Sequence, residues 1–240
     1  MLGTFPKPCL VLDMNDKGDD SLVGVEGIEV MDVESYDDLD MAYWYLKKNP
    51  ERFKSVGIDT TTGAQELALI KKLGGKTRKG KKVGDWGTMT KQGWGQVSGE
   101  LKEMITRFRD LTDDGLEVVF LAQERVFNVD DEADPEHQLD PEIGPRLMPS
   151  VMSHLNASVH VVGSTFLRRR LVRKKVKGKM KEVAKIEYCI RVGPNPVYAT
   201  KVRKPKTVTV PSIIVDPTYG DLVNAIEGKE EKRHGKARRA

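Results

Sequence analysis

The sequence predicts an α/β fold: a mostly parallel sheet flanked by helices, with a C-terminal β-hairpin region. Three observations predict it. Short apolar runs that do not alternate, such as Cys9-Leu10-Val11-Leu12, end in acidic or polar residues, as strands buried on both faces do. Segments of helical period separate these runs, the order expected of a parallel sheet. Residues 166–176 and 181–192 alternate around Lys177-Gly178-Lys179, the pattern of a hairpin.

The elements follow in order. Pro8 to Asp13 is the first strand and Ile28 to Val33 the second. Ser35 caps a helix with Asp37 and Asp38 in its first turn. Leu39, Ala42, Tyr43 and Leu46 form its apolar stripe, and Asn49-Pro50 ends it. Phe53 to Asp59 is a third strand, and Thr60 to Leu73 is a helix with Leu67 and Ile70 inward. Residues 74–97 hold seven glycines and two tryptophans with no period, so a long surface loop is expected. Ser98 to Leu111 reads as a helix with Leu101, Ile105 and Phe108 on one face. Leu116 to Gln123 is a fourth strand. The acidic stretch 128–145 is expected to be another loop, followed by a helix from Arg146 to Leu155. Val159 to Gly163 reads as a fifth strand, and 197–203 as one more. Residues 1–226 form the expected core, and 227–240 have the composition of a basic disordered tail.

Composition narrows the classes. Apolar residues make up 38% of 240, enough for a sizeable core. Two cysteines exclude a disulfide framework or a cysteine-rich zinc module, and four scattered histidines offer no His-rich metal site. No apolar run approaches the roughly 18 residues of a membrane span, and the N-terminus lacks a leader pattern. A soluble protein of a reducing, cytoplasmic compartment is expected. The formal charge of +4 conceals segregation: residues 13–40 hold eleven acids and one base, and 164–185 hold ten bases and one acid. Several basic blocks in one chain suit a polyanionic partner, although any one block also suits ordinary solvated surface.

In parallel sheets, ligands sit beyond the carboxyl ends of the strands. Those ends here are Asp13 to Asp16, Asp59 to Thr62, and Gln123-Glu124. At these ends the sequence resembles the RecA-like P-loop ATPases. It is most similar to the phage-encoded RecA-like nucleotide-binding proteins associated with single-strand annealing. Four pieces carry the resemblance. Cys9-Leu10-Val11-Leu12-Asp13-Met14-Asn15 resembles the strand that supplies the catalytic glutamate. Val56-Gly57-Ile58-Asp59-Thr60-Thr61 is similar to a Walker B strand. Val118-Val119-Phe120-Leu121-Ala122-Gln123 resembles the strand whose glutamine senses the γ-phosphate. Val197-Tyr198-Ala199-Thr200-Lys201-Val202-Arg203 is similar to a C-terminal Lys-x-Arg segment.

The resemblance implies a RecA-like fold with ATP and Mg²⁺ as cofactors. Asp59 would hold Mg²⁺ through water, with Thr60 beside it at the nucleotide. Lys201 and Arg203 would reach a neighbouring subunit's nucleotide in a homo-oligomer. Gln123 would be the sensor. Each has a plainer reading too: Asp59 as a helix cap, Gln123 as a solvated strand end, Lys201 and Arg203 as edge-strand cations.

Two departures stand out. The family's first strand, its G-x-x-x-x-G-K-[ST] loop and most of the following helix have no counterpart, as if the start lay too far downstream. Gly74-Gly75-Lys76-Thr77 does not replace the loop, because Ile70 stands where a glycine is needed. Asn15 occupies the place of the catalytic glutamate, and an amide cannot act as that base. Asp16 is the adjacent carboxylate. Weak ATP binding and negligible turnover are therefore expected.

Arg78, Lys79, Lys81 and Lys82 with Trp86 and Trp94 combine cations for phosphates with indoles that stack unpaired bases, a pairing suited to single-stranded DNA. Arg168, Arg169 and Arg170 on the hairpin are a second candidate DNA surface. The expected function is DNA recombination or annealing on single-stranded DNA in a host-cell cytoplasm. The alternative is a non-catalytic RecA-like assembly module that has lost nucleotide binding, favoured by Asn15.

Overall fold

The computed structural model describes residues 1–14, 22, 24–74, 89–127, 142–176 and 179–229. The chain divides into two compact units, Leu2–Val159 and His160–Ala240 with Met1.

In the first unit, four parallel strands form one sheet. They are β1 (Cys9–Asp13), β2 (Ile28–Asp32), β3 (Ser55–Asp59) and β4 (Glu117–Phe120), in the order β2-β1-β3-β4. Helix α1 (Tyr36–Lys48) joins β2 to β3, and α2 (Thr61–Lys72) and α3 (Lys91–Arg109) lie between β3 and β4. Ser35 caps α1 in a full capping box: its side chain accepts from the Asp38 N–H while the Asp38 carboxylate accepts from the Ser35 N–H.

The strand order decides where the helices go. The steps from β2 to β3 and from β3 to β4 advance in the same direction, so right-handed crossovers put their helices on one face. Leu10, Leu12, Val56 and Ile58 on that face share a core with Leu39 and Leu46 of α1, Leu67 of α2, and Leu101, Ile105 and Phe108 of α3. The step from β1 to β2 runs the other way. The opposite face carries a smaller cluster of Leu2, Cys9 and Val11 with Leu22, Ile28, Val119 and Leu121. The parallel sheet flanked by helices is as expected, and among the described residues the buried side chains of α1 to α3 join one cluster. Further along, β5 (Glu124–Phe127) and β6 (Glu142–Pro145) pair antiparallel, and α4 (Pro149–Ser158) packs on α3 through the same core.

Two loop expectations are corrected. Residues 91–97 are the first two turns of α3, capped by Thr90, whose side chain accepts from the Gly93 N–H. Gly93 and Gly95 hide this helix start in the sequence, because glycine costs about 1 kcal/mol in a helix. Gly93 has a packing reason: a Cβ there would lie 2.7 Å from the Met89 sulfur. Residues 142–145 are a strand rather than the end of a loop, because they pair with 124–127.

In the second unit, β7 (Val161–Val162) is not a fifth parallel strand. It pairs antiparallel with β10 (Lys201–Val202), with Val202 opposite Val161. Between them, β8 (Ser164–Val176) and β9 (Lys179–Arg191) form the expected hairpin, with thirteen residue pairs and a length of about 40 Å. β11 (Ile213–Val215) joins only the base of β9, opposite Cys189 to Arg191. Helix α5 (Tyr219–Glu227) follows, capped by Thr218 and Asp221. Ile190, Val192 and Ile214 form the local core with Leu222 and Ala225 of α5. β11 and α5 are absent from the sequence expectation. The Arg191 guanidinium lies between the Phe166 and Tyr198 rings, 4.7 and 4.0 Å from their centroids. The buried Glu187 carboxylate accepts from Arg168 Nε and Nη2 at 3.1 and 2.8 Å. Those bonds, with help from Lys185, hold Glu187 below the usual carboxylate range. Its contribution to stability is therefore present above that range and lost as pH falls through the lowered value.

Candidate functional site

The chain leaves β1 in one direction, toward β2, and leaves β3 in the other, toward β4. β1 and β3 are neighbours, so the strand order reverses between them. Such a switch point opens a crevice beyond the carboxyl ends of the two strands. The register puts Asp13 directly beside Asp59 there, and Asp32 beside Asp13. In-register parallel neighbours share a face, so these carboxylates stand in a row on the sheet face away from α1 to α3. Asp13 is 3% exposed, Asp59 is half-buried and Asp32 is exposed.

The crevice walls are tied together by the backbone. The Met14 N–H donates to the Asp59 carbonyl at 2.8 Å, and the Val33 N–H donates to the Asp13 carbonyl at 2.8 Å. Past β3 the Asp59–Thr60 peptide is cis. Thr60 caps α2, its side chain accepting from the Gly63 N–H at 3.0 Å. The Thr61 N–H donates to the Leu121 carbonyl at 2.7 Å. Two of the N–H groups at the start of α2 are thus occupied within the protein. Thr61 itself is buried, and its hydroxyl has no partner among the described residues.

Gln123 reaches the same edge from beyond β4. Its N–H donates to the Thr62 hydroxyl at 3.1 Å, and its side-chain oxygen accepts from Arg146 Nη1 at 3.2 Å. The Arg146 N–H donates to the Gln123 carbonyl. Arg146 and Thr62, which position Gln123, have no motif in the sequence; only the pairing of β5 with β6 brings Arg146 back to this edge.

The structure therefore brings Asp59, Thr60 and Gln123 onto one strand edge. Lys201 and Arg203 lie in the other unit, at β10. Burial first, and the neighbouring Arg203 charge second, lower the pKa of Lys201 from the ordinary lysine value. Arg168, Arg169 and Arg170 lie on β8, and Arg168 is held by Glu187. Trp94 sits on α3 rather than in a loop and is 38% exposed. Asn15 and Asp16, and Arg78, Lys79, Lys81, Lys82 and Trp86, lie outside the described residues.

A family model described as an AAA domain matches residues 2–203. The chain belongs to this AAA-domain family. The match covers most of the sequence and carries a P-loop, AAA-type, ATPase-like fold with it, in agreement with the parallel sheet and its flanking helices. No curated protein matches the sequence. An AAA domain implies nucleotide binding in general. Two adjacent carboxylates suit a nucleotide-bound Mg²⁺, which takes one or two carboxylates together with phosphate oxygens. Asp59 and Asp13 are the residues of this AAA domain that would hold it. Among the described residues no group of three His, Cys, Asp or Glu forms a metal cluster. No described helix is long and apolar enough to cross a membrane.

Proposed function

We propose that this AAA-domain chain is a phage RecA-like recombination or annealing protein. It binds single-stranded DNA and carries a nucleotide edge at the β1/β3 switch point. The observation that carries the reading is the register of Asp13 and Asp59 at that reversal, with Gln123 held beside it by Thr62 and Arg146. A loaded edge supplies phosphoryl-transfer chemistry. In it, Asp59 and Asp13 would hold the cation, and Gln123, its side-chain oxygen held by Arg146, would act as the phosphate sensor. No G-x-x-x-x-G-K-[ST] loop occurs within these 240 residues, and such a loop is what supplies backbone N–H groups to phosphates.

This chain alone is expected to bind Mg²⁺-ATP at millimolar strength or more weakly, with Asp59→Asn removing the Mg²⁺ dependence. Equilibrium titration with and without Mg²⁺ checks this, and micromolar affinity would contradict it. The second reading, a non-catalytic assembly module, is favoured by Asn15. It predicts no Mg²⁺-dependent component at all.

The DNA reading rests on residue chemistry. Cations track phosphates, while the exposed Trp94 offers a stacking face. Replacing Lys79, Lys81 and Lys82 with alanine is expected to flatten the salt dependence of oligonucleotide binding by about two log units per log unit of salt. Trp94→Ala is expected to weaken binding by about 1–3 kcal/mol without changing that slope, since stacking releases no ions. Fluorescence anisotropy of a labelled oligonucleotide over a salt series reads both. Salt-independent or undetectable binding by the unaltered chain would sink the DNA reading.

A further inference from the structure

The hairpin of β8 and β9 is a ribbon with one open side. The sheet order is β11-β9-β8, so β8 is an edge strand, and among the described residues no strand lies beside it. On the other side, β11 covers only the last three residues of β9. An edge of thirteen residues turns backbone N–H and C=O groups outward at every second residue, and such a row is a template for another strand. A two-stranded ribbon is marginal in water without further packing.

The side chains along that edge say which strand fits. Successive residues of β8 face opposite ways. Leu167, Arg169 and Leu171 share one face, with Tyr188, Ile186 and Ala184 opposite them on β9. On this face Leu167, Leu171, Ile186 and Tyr188 are each 62–67% exposed. The other face carries Arg168 opposite Glu187 and Arg170 opposite Lys185. Arg168 is held by Glu187, whereas Arg170 stands across from a second cation and forms no ion pair among the described residues. Residues 164–191 hold eleven basic and two acidic side chains, a formal charge of +9. That charge repels a second copy of the same strand and so guards the edge against self-pairing. It attracts a strand rich in carboxylates. A strand added about 4.8 Å from β8 would set one row of side chains beside Arg168 and Arg170 and the alternate row beside Leu167 and Leu171. Nucleic acid matches the cations but not the rest. It has no peptide groups to pair with a strand edge, and leucine cannot stack on a base as an aromatic ring does.

We propose that β8 is a docking edge for an extended peptide of another protein, one in which acidic and apolar residues alternate. The peptide adds as a further strand. Its backbone pairs with β8, its carboxylates meet Arg170 beside Arg168, and its apolar side chains cover Leu167 and Leu171. Docking needs neither nucleotide nor DNA and is tested without them.

The probe is a fluorescein-labelled peptide of about eight residues, a usual strand length, alternating glutamate and valine. Fluorescence anisotropy with the full chain reads its binding. Saturable binding that weakens as salt rises is expected. A peptide with lysine in place of glutamate, and one with the same composition in two blocks, are each expected to bind at least about ten-fold more weakly. Methylating every second backbone nitrogen removes the donors along one edge of the peptide, and one of the two frames is expected to abolish binding. Arg170→Glu and Leu171→Glu are each expected to weaken the parent peptide at least about ten-fold, the scale of a lost interface anchor. Arg170→Glu places a carboxylate opposite Lys185, a favourable cross-strand pair, so its loss of binding is not loss of the hairpin. Thermal melts of both variants are expected to match the unaltered chain. No saturable binding by the unaltered chain overturns the proposal. So does equal binding of the lysine peptide, the block peptide or both methylated peptides, which removes charge-selected strand addition as the mode. If Arg170→Glu loses oligonucleotide binding but keeps the peptide, the edge belongs to DNA, and the proposal fails while the DNA reading stands.

Discussion

Replacing Phe108 with alanine is expected to remove about 3–5 kcal/mol of unfolding free energy, the range for emptying a buried phenylalanine site. Phe108 is 1% exposed and sits on the inner face of α3. It meets the Tyr43 ring edge-on at 5.8 Å, with α1 on the far side. The surrounding helices are pinned by their own caps and by the sheet, so little can collapse into the space. Typical domains hold only about 5–15 kcal/mol in total, so the loss is a large share of the whole. Urea unfolding followed by tryptophan fluorescence measures it. Leu167→Ala, on an exposed face of the hairpin, is the control and should stay within about 0.5 kcal/mol. A Phe108→Ala loss below about 1 kcal/mol would mean that this core is not packed as described.

Gly63→Val is expected to cost about 2–3 kcal/mol through overpacking. Gly63 lies in the first turn of α2, and a Cβ there would stand 2.6 Å from the Met14 Cβ. The chain leaving β1 crosses the start of α2 at this point, and the bond from Met14 to the Asp59 carbonyl fixes the crossing. Helix propensity alone would favour valine over glycine by a few tenths of a kcal/mol, so the sign of the change separates contact from propensity. Met14→Gly removes the opposing Cβ. In that background the cost of Gly63→Val should shrink. Equal costs in both backgrounds, measured as a double-mutant cycle, would show that the close approach is not the cause.

The sequence and the structure agree best where one residue carries one physical job. Ser35 and Asn49 bound α1 because a cap and a stop are local signals. β1 and β3 are legible because five-residue apolar runs need no partner to be recognised. Legibility fails where the partner is remote. Val161-Val162 looks like a parallel strand until Lys201-Val202 is known to be its neighbour. β5 alternates too briefly to be seen without β6. The same holds for the site. Asp59 and Gln123 can be named from the chain, but their closeness to Asp13 and Arg146 follows from strand order and register, which no local pattern encodes. Trp94 can be named from the chain as a candidate for stacking, while its place on a helix is masked by two glycines.

The strand order β2-β1-β3-β4 also sets a timetable for folding. β1 must wait for residues 55–59 before it has both neighbours, and the sheet cannot be completed until residues 117–120 exist. During synthesis, β3 therefore keeps one open edge while the roughly sixty residues leading to β4 are made, a period in which exposed edges invite aggregation. The hairpin has no such delay, since its innermost pair is only a few residues apart and closes as soon as both strands emerge. The ribbon is thus a fast, local structure and the carboxylate edge a slow, non-local one. The carboxylate edge is complete only when the last strand has docked.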